Sequence, residues 1–168
     1  KVEGVKEAEK VGKAFMWSHA LSGGGGFMMM QATVASYFAI FMTDTFGVPA
    51  GVLSMIVLIG SLWDAINDPM MGSIADFTKS RWGRYRPYFI VPPVLLTIAA
   101  YFLFLNPQGL STNQKIIYCA VFYIIFQMLV TVCTMPQMAV LPAHVKNGNE
   151  RNKVIILGTI FVALAFTI

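Results

Sequence analysis

Long apolar stretches, separated by short polar or turn-rich links, dominate the hydrophobic pattern of this chain. Four of them cover residues 14–43, 52–77, 88–105 and 115–141, and a fifth occupies residues 154–168. A helix needs about 20 apolar residues to cross a bilayer. The pattern therefore predicts four membrane-spanning helices and the start of a fifth, as expected for a fragment of a longer protein.

Three features modify this simple pattern. Gly23–Gly26 interrupts the first span, which indicates either close approach of a neighbouring helix or local unwinding. Pro92 and Pro93 predict a bend or an interruption in the third span. Residues 1–13 are charged and are expected to form a cytoplasmic N-terminal segment, with an interfacial amphipathic helix as the alternative.

The composition agrees with a membrane protein. The chain is 57% hydrophobic and 12% charged, whereas a soluble domain has roughly 25% charged residues. Cys119 and Cys133 both lie in apolar stretches without metal-type spacing, which predicts buried free thiols. The net charge of +4 does not indicate nucleic-acid binding, because the basic residues are grouped in the links.

The distribution of these basic residues predicts the topology. Lys and Arg occur in the N-terminal segment and in the links that follow the second and fourth spans. The link after the first span has none, and the region between the third and fourth spans has only Lys115. By the positive-inside rule, the N-terminus is expected to be cytoplasmic.

The second span carries an acidic face. Asp64, Asn67 and Asp68 lie three and four residues apart, so a helix places them on one side. A charge at mid-bilayer costs about 2.5–3.5 kcal/mol on insertion scales, and such charges usually serve a function. The two carboxylates also repel each other, so they require a proton, a Na⁺ ion or a base from elsewhere. Gly60 and Gly72 leave room near this face for another helix, and a helix-to-helix hydrogen-bond cluster is the structural alternative.

A second group of charges follows at the cytoplasmic end of the same span. Asp76 precedes a basic cluster formed by Arg81, Arg84 and Arg86. The cluster contributes to topology, and it could also form a charge-pair latch that breaks when the helices move. Gly83 would allow the tight turn that such a latch needs.

These motifs resemble the glycoside–pentoside–hexuronide:cation symporter family of the major facilitator superfamily, whose members include the melibiose permease-like proteins. The resemblance rests on a two-part motif. Its first part is WDAINDP at residues 63–69 and its second part is RWGRYRP at residues 81–87, with Gly72 and Asp76 between them. The resemblance implies an all-α membrane protein with twelve helices. Residues 14–168 would supply helices 1–5 of its N-terminal six-helix half, with the fifth incomplete.

The resemblance also implies a function. It predicts cation-coupled symport of a glycoside, pentoside or hexuronide by alternating access, in a bacterial-type cytoplasmic (inner) membrane. The expected partners are a sugar substrate, Na⁺ or H⁺, the lipid bilayer and the missing C-terminal half. No enzymatic activity, no nucleic acid and no cofactor are expected, and no metal beyond possible Na⁺.

Site residues are transferred from the family position by position. Asp64, Asn67 and Asp68 match its cation site, and Thr131 matches a position that adds a hydroxyl ligand. The cytoplasmic gating latch, which is inferred from the charges themselves rather than transferred, comprises Gly72, Asp76, Arg81, Gly83, Arg84 and Arg86.

The sugar site departs from the melibiose permease pattern. Its two acidic residues fall at Met28 and Thr134, its stacking tryptophan at Met138, and its arginine at Thr159. Galactoside specificity is therefore not transferred to this chain. The polar and aromatic residues that could instead contact a sugar are Gln31, Tyr37, Tyr123, Gln127, Thr134 and Gln137.

Two further hypotheses belong to other functional classes. An intramembrane aspartyl protease would bring two aspartates together from different helices, but here the pair shares one helix and no Gly-x-Gly-Asp motif is present. A non-transporting binding or sensor member of the same fold is the alternative to a symporter. Substrate-dependent proton or sodium flux would separate these two.

Overall fold

The structure is a computed structural model that describes residues 11–81, 83 and 85–167. The regular structure of this part of the chain is helical throughout. The five helices are α1 (Lys13–Thr45), α2 (Ala50–Phe77), α3 (Arg86–Leu103), α4 (Thr112–His144) and α5 (Gly148–Thr167). The first four are long and apolar enough to cross a membrane.

Helix α1 changes its winding twice along its length. It widens to π-helical turns over Ala20–Phe27 and again over Phe41–Thr45, with an α-helical segment, Met28–Ile40, between them. The glycine run lies in the first π-helical segment, so the chain remains helical there and does not unwind. This is expected in hydrocarbon, where backbone groups need partners within the helix.

Prolines lie inside three of the helices without ending them. Pro69 is in α2, and Pro136 and Pro142 are in α4. Pro92 and Pro93 are in α3, which continues from Arg86 to Leu103. The predicted interruption at Pro92 and Pro93 is therefore not present in the assigned helix. Membrane helices tolerate proline because neighbouring side chains and local adjustments satisfy the freed carbonyl groups.

The link between α2 and α3 contains a tight turn at Gly83. Its φ angle is +95°, and its N–H donates to the carbonyl oxygen of Ser80 at 3.0 Å. A side chain strains the backbone at such an angle. The observed turn agrees with the one expected at this glycine.

Residues 33–138 form one compact unit. The side chains buried inside it come from all four helices and include Phe38, Ile56, Leu96 and Phe126. Cys119 and Cys133 are also buried and free, so the prediction of buried thiols is confirmed. Large apolar residues cover the outer faces of the helices, as expected for surfaces that contact lipid.

Residues 1–32 and 139–168 form the second unit, of which residues 11–32 and 139–167 are described. Within it, α5 packs against the Ala20–Phe27 segment of α1. Leu141, Val145 and Val154 form a buried apolar cluster. Helix α5 begins at Gly148, six residues before the predicted apolar stretch starts at Val154. The prediction starts later because hydropathy marks the apolar part of a helix rather than its first residue.

Candidate cation site

Helix α2 places the acidic face towards the interior of its unit. Asn67 is 5% exposed, and Asp64 and Asp68 are partly buried. Ile66 lies between them in the sequence, Leu62 and Met70 flank them, and all three are exposed on other faces. This division follows from helical periodicity, and it sets two carboxylates and an amide on the face that meets the rest of the unit.

Two side chains of α4 bind the two carboxylates. The amide Nε2 of Gln127 donates to Oδ2 of Asp64 at 2.8 Å, and the hydroxyl of Thr131 donates to Oδ1 of Asp68 at 2.9 Å. Both pairs are separated by 63 residues in the sequence. The polar faces of α2 and α4 therefore meet in register, and the two bonded pairs lie one helical turn apart.

A third pair, Gly60 and Tyr123, precedes these two by one turn and has the same sequence offset. A Cβ atom built on Gly60 would lie 2.5 Å from Cε1 of Tyr123, so this glycine provides the space for the ring. The Tyr123 ring also stacks on the ring of Phe38 of α1, with the two centroids 4.7 Å apart. We call the three pairs Gly60–Tyr123, Asp64–Gln127 and Asp68–Thr131 the α2–α4 ladder.

Part of the bonding capacity of this site is not used. Oδ1 of Asp64 and Nδ2 of Asn67 are buried and have no hydrogen-bond partner among the described residues. Buried polar atoms nearly always have a partner in native proteins, so each such atom requires an explanation. Both atoms belong to the predicted cation-site residues.

No fixed base neutralises the two acids within the described residues. Helix α2 contains no Lys or Arg, and α4 contains only Lys115, near its start. The Nζ atom of Lys115 lies over the Phe46 ring, 5.6 Å from its centroid. Lys115 precedes Gln127 by twelve residues, which is about 18 Å along a helix. The carboxylates are therefore bonded by neutral groups.

The arrangement has the chemistry of a hard-cation site. Two carboxylates, the Thr131 hydroxyl and the Asn67 amide can all provide oxygen, the ligand atom that hard cations prefer. Among the described residues, no group of three or more His, Cys, Asp or Glu side chains could hold a metal ion. A site here would accordingly combine two acidic ligands with neutral ones.

The structure places the predicted sugar-contact residues in different surroundings. Tyr123 and Gln127 lie in the ladder, while the Thr134 hydroxyl donates to its own helix at the Val130 carbonyl oxygen. Tyr37 is 60% exposed, and Gln137 is partly buried on α4. Gln31 is partly buried and belongs to the unit that contains residues 11–32.

The residues predicted to form the latch lie around the link between α2 and α3. Gly72 is on α2, and a Cβ built on it would meet no atom within 4 Å. Asp76, Arg81 and Arg86 are exposed. Arg84 lies outside the described residues.

Comparison with known proteins identifies the family. The sequence model of the family described as MFS/sugar transport protein matches residues 20–168. The chain belongs to this family. The prediction of a major facilitator fold and of a glycoside–pentoside–hexuronide:cation symporter relationship is thereby confirmed.

Individual members of the family give the same assignment. The inner membrane symporter YicJ of Escherichia coli is 40% identical over 63% of this chain and 23% of its own length. A protein of the same organism named putative glycoside/cation symporter YagG is 33% identical over 73% of this chain and 26% of its own length. The isoprimeverose transporter of Lactiplantibacillus pentosus is 31% identical over 70% and 24%. The chain thus spans about a quarter of the length of these relatives.

The contact between Gln127 and Asp64 in this member of the family was not expected from the sequence. Gln127 was predicted to contact a sugar, whereas the structure places its amide on a carboxylate of the predicted cation site. A signal for this contact is present in the sequence. Gln127 and Thr131 have the same four-residue spacing as Asp64 and Asp68, so two facing helices could match them pair by pair.

Proposed function

We propose that this chain forms part of a secondary transporter that couples the movement of a sugar or sugar derivative to that of a cation. The observation that carries this proposal is the α2–α4 ladder, in which two carboxylates of a membrane-length helix are bonded by neutral side chains. Buried acids without a fixed base need a mobile positive partner. The names of the related symporters support the same conclusion.

The cation would bind between α2 and α4. Asp64, Asn67, Asp68 and Thr131 are its proposed ligands, with the two carboxylates supplying the charge. Binding of the cation neutralises the acidic face and changes the balance between inward-open and outward-open states. A ligand can do this only if its affinity differs between the two states.

The proposed substrate is a glycoside, pentoside or hexuronide. Its candidate contacts are Gln31, Tyr37, Tyr123, Gln127, Thr134 and Gln137. Of these, Tyr123 and Gln127 lie beside the carboxylates, so a sugar that reached them would be close to the coupling ion. This closeness supports coupling between the two binding events.

The orientation and the latch belong to the same proposal. The basic residues of the N-terminal segment and of the links that follow α2 and α4 support a cytoplasmic N-terminus in a bacterial-type inner membrane. Gly72, Asp76, Arg81, Gly83, Arg84 and Arg86 would form the cytoplasmic latch, with Gly83 setting its turn. The rest of the transport path would come from a region that corresponds to the parts of the relatives not matched by this chain.

Uptake by the full-length protein in proteoliposomes tests the proposal. A panel of neutral glycosides and uronides is offered with an imposed Na⁺ or proton gradient, in the wild type and in the Asp64→Asn and Asp68→Asn variants. We expect a sugar to accumulate only with the ion gradient, and we expect each substitution to abolish this accumulation.

The Asp44→Asn variant is the matched control. Asp44 is exposed near the end of α1 and accepts a hydrogen bond from the Thr43 hydroxyl, so the same chemical change there should leave accumulation intact. Ion-driven accumulation at wild-type levels in both ladder variants would refute the role of the acids. Sugar binding without any ion-linked flux in the wild type would instead indicate a sensor.

A further inference from the structure

The two α4 side chains that bond the carboxylates, Gln127 and Thr131, can each act either as a donor or as an acceptor. An amide has an N–H₂ end and a carbonyl end, and a hydroxyl has one hydrogen and two lone pairs. Lys and Arg can only donate, and an ionised Glu can only accept. Gln127 and Thr131 are therefore able to bond a carboxylate when the site holds no cation and to bind a cation when it does.

In the bond between Gln127 and Asp64 the amide acts as a donor. Its Nε2 donates to Asp64 at 2.8 Å, while the other carboxylate oxygen is buried without a partner. A cation bound by Asp64 and Asp68 would be repelled by the positive N–H₂ end of the amide. The amide must then turn, and a half-turn of its terminal bond brings the carbonyl oxygen Oε1 to the same position.

The number of oxygen groups favours a metal ion over a proton as the occupant. A proton needs one carboxylate oxygen and leaves the other groups unused. The site instead gathers two carboxylates, two amides and one hydroxyl within two helical turns, from Asp64, Asp68, Asn67, Gln127 and Thr131. Small hard cations take several oxygen ligands, and carbonyl and carboxylate oxygens suit them.

We propose that Gln127 is a switchable ligand of a Na⁺ site. In the protein without bound Na⁺, its amide N–H donates to the Asp64 carboxylate. In the protein with bound Na⁺, its carbonyl oxygen coordinates the ion. The inference rests on the proposed function, which it extends from a cation site of unspecified ion to a Na⁺ site with a fifth ligand. It also moves Gln127 from the sugar contacts to the ion site.

Two substitutions at this position separate the ligand role from a structural one. The Gln127→Met variant keeps the length and bulk of the side chain but has neither end of the amide. We expect the Na⁺ concentration for half-maximal sugar uptake to rise at least about tenfold. The Gln127→Glu variant keeps an oxygen at the same position, so we expect half-maximal uptake at the wild-type Na⁺ concentration or a lower one.

A comparison of exchange with net uptake tests the role of the amide in the unloaded protein. Exchange of external for internal sugar at saturating Na⁺ does not require the unloaded carrier to return across the membrane, whereas net uptake does. Both variants lack the amide donor to Asp64, so we expect the rate of net uptake to fall relative to that of exchange in both. The exchange rate also shows that each variant is folded.

The Gln108→Met variant is the control, because Gln108 is exposed in the link between α3 and α4. It should keep the wild-type Na⁺ dependence and the wild-type ratio of net uptake to exchange. The inference fails if the Gln127→Met variant keeps wild-type Na⁺ dependence, or if the Gln127→Glu variant loses Na⁺ affinity to the same extent. An unchanged ratio of net uptake to exchange in both Gln127 variants also overturns it.

These results are distinguishable from failure of the proposed function. Proton-driven uptake that requires Asp64 and Asp68 but does not respond to Na⁺ would overturn the Na⁺ ligand and leave the symporter assignment standing. Ion-driven uptake that persists in both the Asp64→Asn and the Asp68→Asn variant would overturn the symporter mechanism itself.

Discussion

Gly60 of α2 lies directly against the ring of Tyr123 of α4. A Cβ atom on Gly60 would be 2.5 Å from Cε1 and 3.2 Å from Cδ1 of that ring. The first distance is too short for any real contact, so the two helices can approach this closely only because the position is glycine. The Asp64–Gln127 and Asp68–Thr131 bonds follow one and two turns further along the same pair of helices.

The Gly60→Ala substitution should therefore weaken cation binding without touching a ligand. The added methyl group must push the Tyr123 ring or the two helices apart, and the hydrogen bonds of the ladder lengthen as a result. We expect the cation concentration for half-maximal sugar uptake to rise about tenfold, which corresponds to about 1.4 kcal/mol. The Gly51→Ala variant in the same helix is the control, because a Cβ there meets no atom within 4 Å.

A normal cation dependence in the Gly60→Ala variant would show that the ladder tolerates separation. The structural account would then lose its explanation for the glycine. A loss of folded protein in both glycine variants would instead indicate a general effect of the substitution, so the amount of folded protein in the membrane is measured alongside uptake.

The ring of Tyr123 should matter more to cation binding than its hydroxyl group. The ring is buried between Gly60 and Phe38, and its stacking on Phe38 has an interplanar angle of 17°. We expect the Tyr123→Phe variant to keep the wild-type cation dependence, because the ring remains. The Tyr123→Leu variant should raise the half-saturating cation concentration, since a smaller side chain leaves a cavity beside the ladder.

The half-maximal sugar concentration of the Tyr123→Phe variant tests the second role predicted for this residue. A rise in this concentration is expected if Tyr123 contacts the sugar through its hydroxyl group. Equal cation dependence in the Tyr123→Phe and Tyr123→Leu variants would contradict the packing role of the ring.

The helices and their approximate bounds could be predicted from the sequence because hydrocarbon imposes a simple rule. A span must be long, apolar and fully hydrogen-bonded, and residues 52–77 satisfy this rule without reference to any other part of the chain. The same rule did not identify the first residue of α5, since Gly148 to Lys153 are polar yet helical. Hydropathy reports where a helix meets lipid, and its ends depend on local backbone bonds.

The candidate site could be predicted only in part. The acidic face of α2 follows from spacing within one helix, so Asp64, Asn67 and Asp68 were found from the sequence. The partner of Asp64 depends on the register between two helices, which hydrophobic periodicity does not contain. Gln127 was consequently predicted as a sugar contact, and its bond to Asp64 became visible only when α2 and α4 were placed together.

The hydroxyl group of Thr131 should be needed for cation binding. Thr131 is 4% exposed, and its hydroxyl donates to Asp68 at 2.9 Å. The Thr131→Val variant keeps the shape of the side chain and removes the hydroxyl, so we expect the half-saturating cation concentration to rise about tenfold. The Thr131→Ser variant keeps the hydroxyl and should behave nearly as wild type in the same uptake assay.

The Thr97→Val variant supplies the control for this pair. The Thr97 hydroxyl is exposed and donates to the Pro93 carbonyl oxygen of its own helix, so its removal should leave cation dependence unchanged. A Thr131→Val variant with wild-type cation dependence would show that the bond to Asp68 is structural and that Thr131 is not a ligand.

The turn at Gly83 should affect transport beyond its effect on stability. Gly83 and Gly109 have φ angles of +95° and +89°, and a Cβ on either meets no atom within 4 Å. Alanine at each position therefore adds backbone strain without a clash, at about 1–2 kcal/mol. Thermal unfolding in detergent should show a similar loss of stability in the two variants.

We expect only the Gly83→Ala variant to slow ion-driven uptake by the full-length protein, because Gly83 lies in the link proposed as the latch. Equal uptake rates in the two variants would show that the turn serves folding alone.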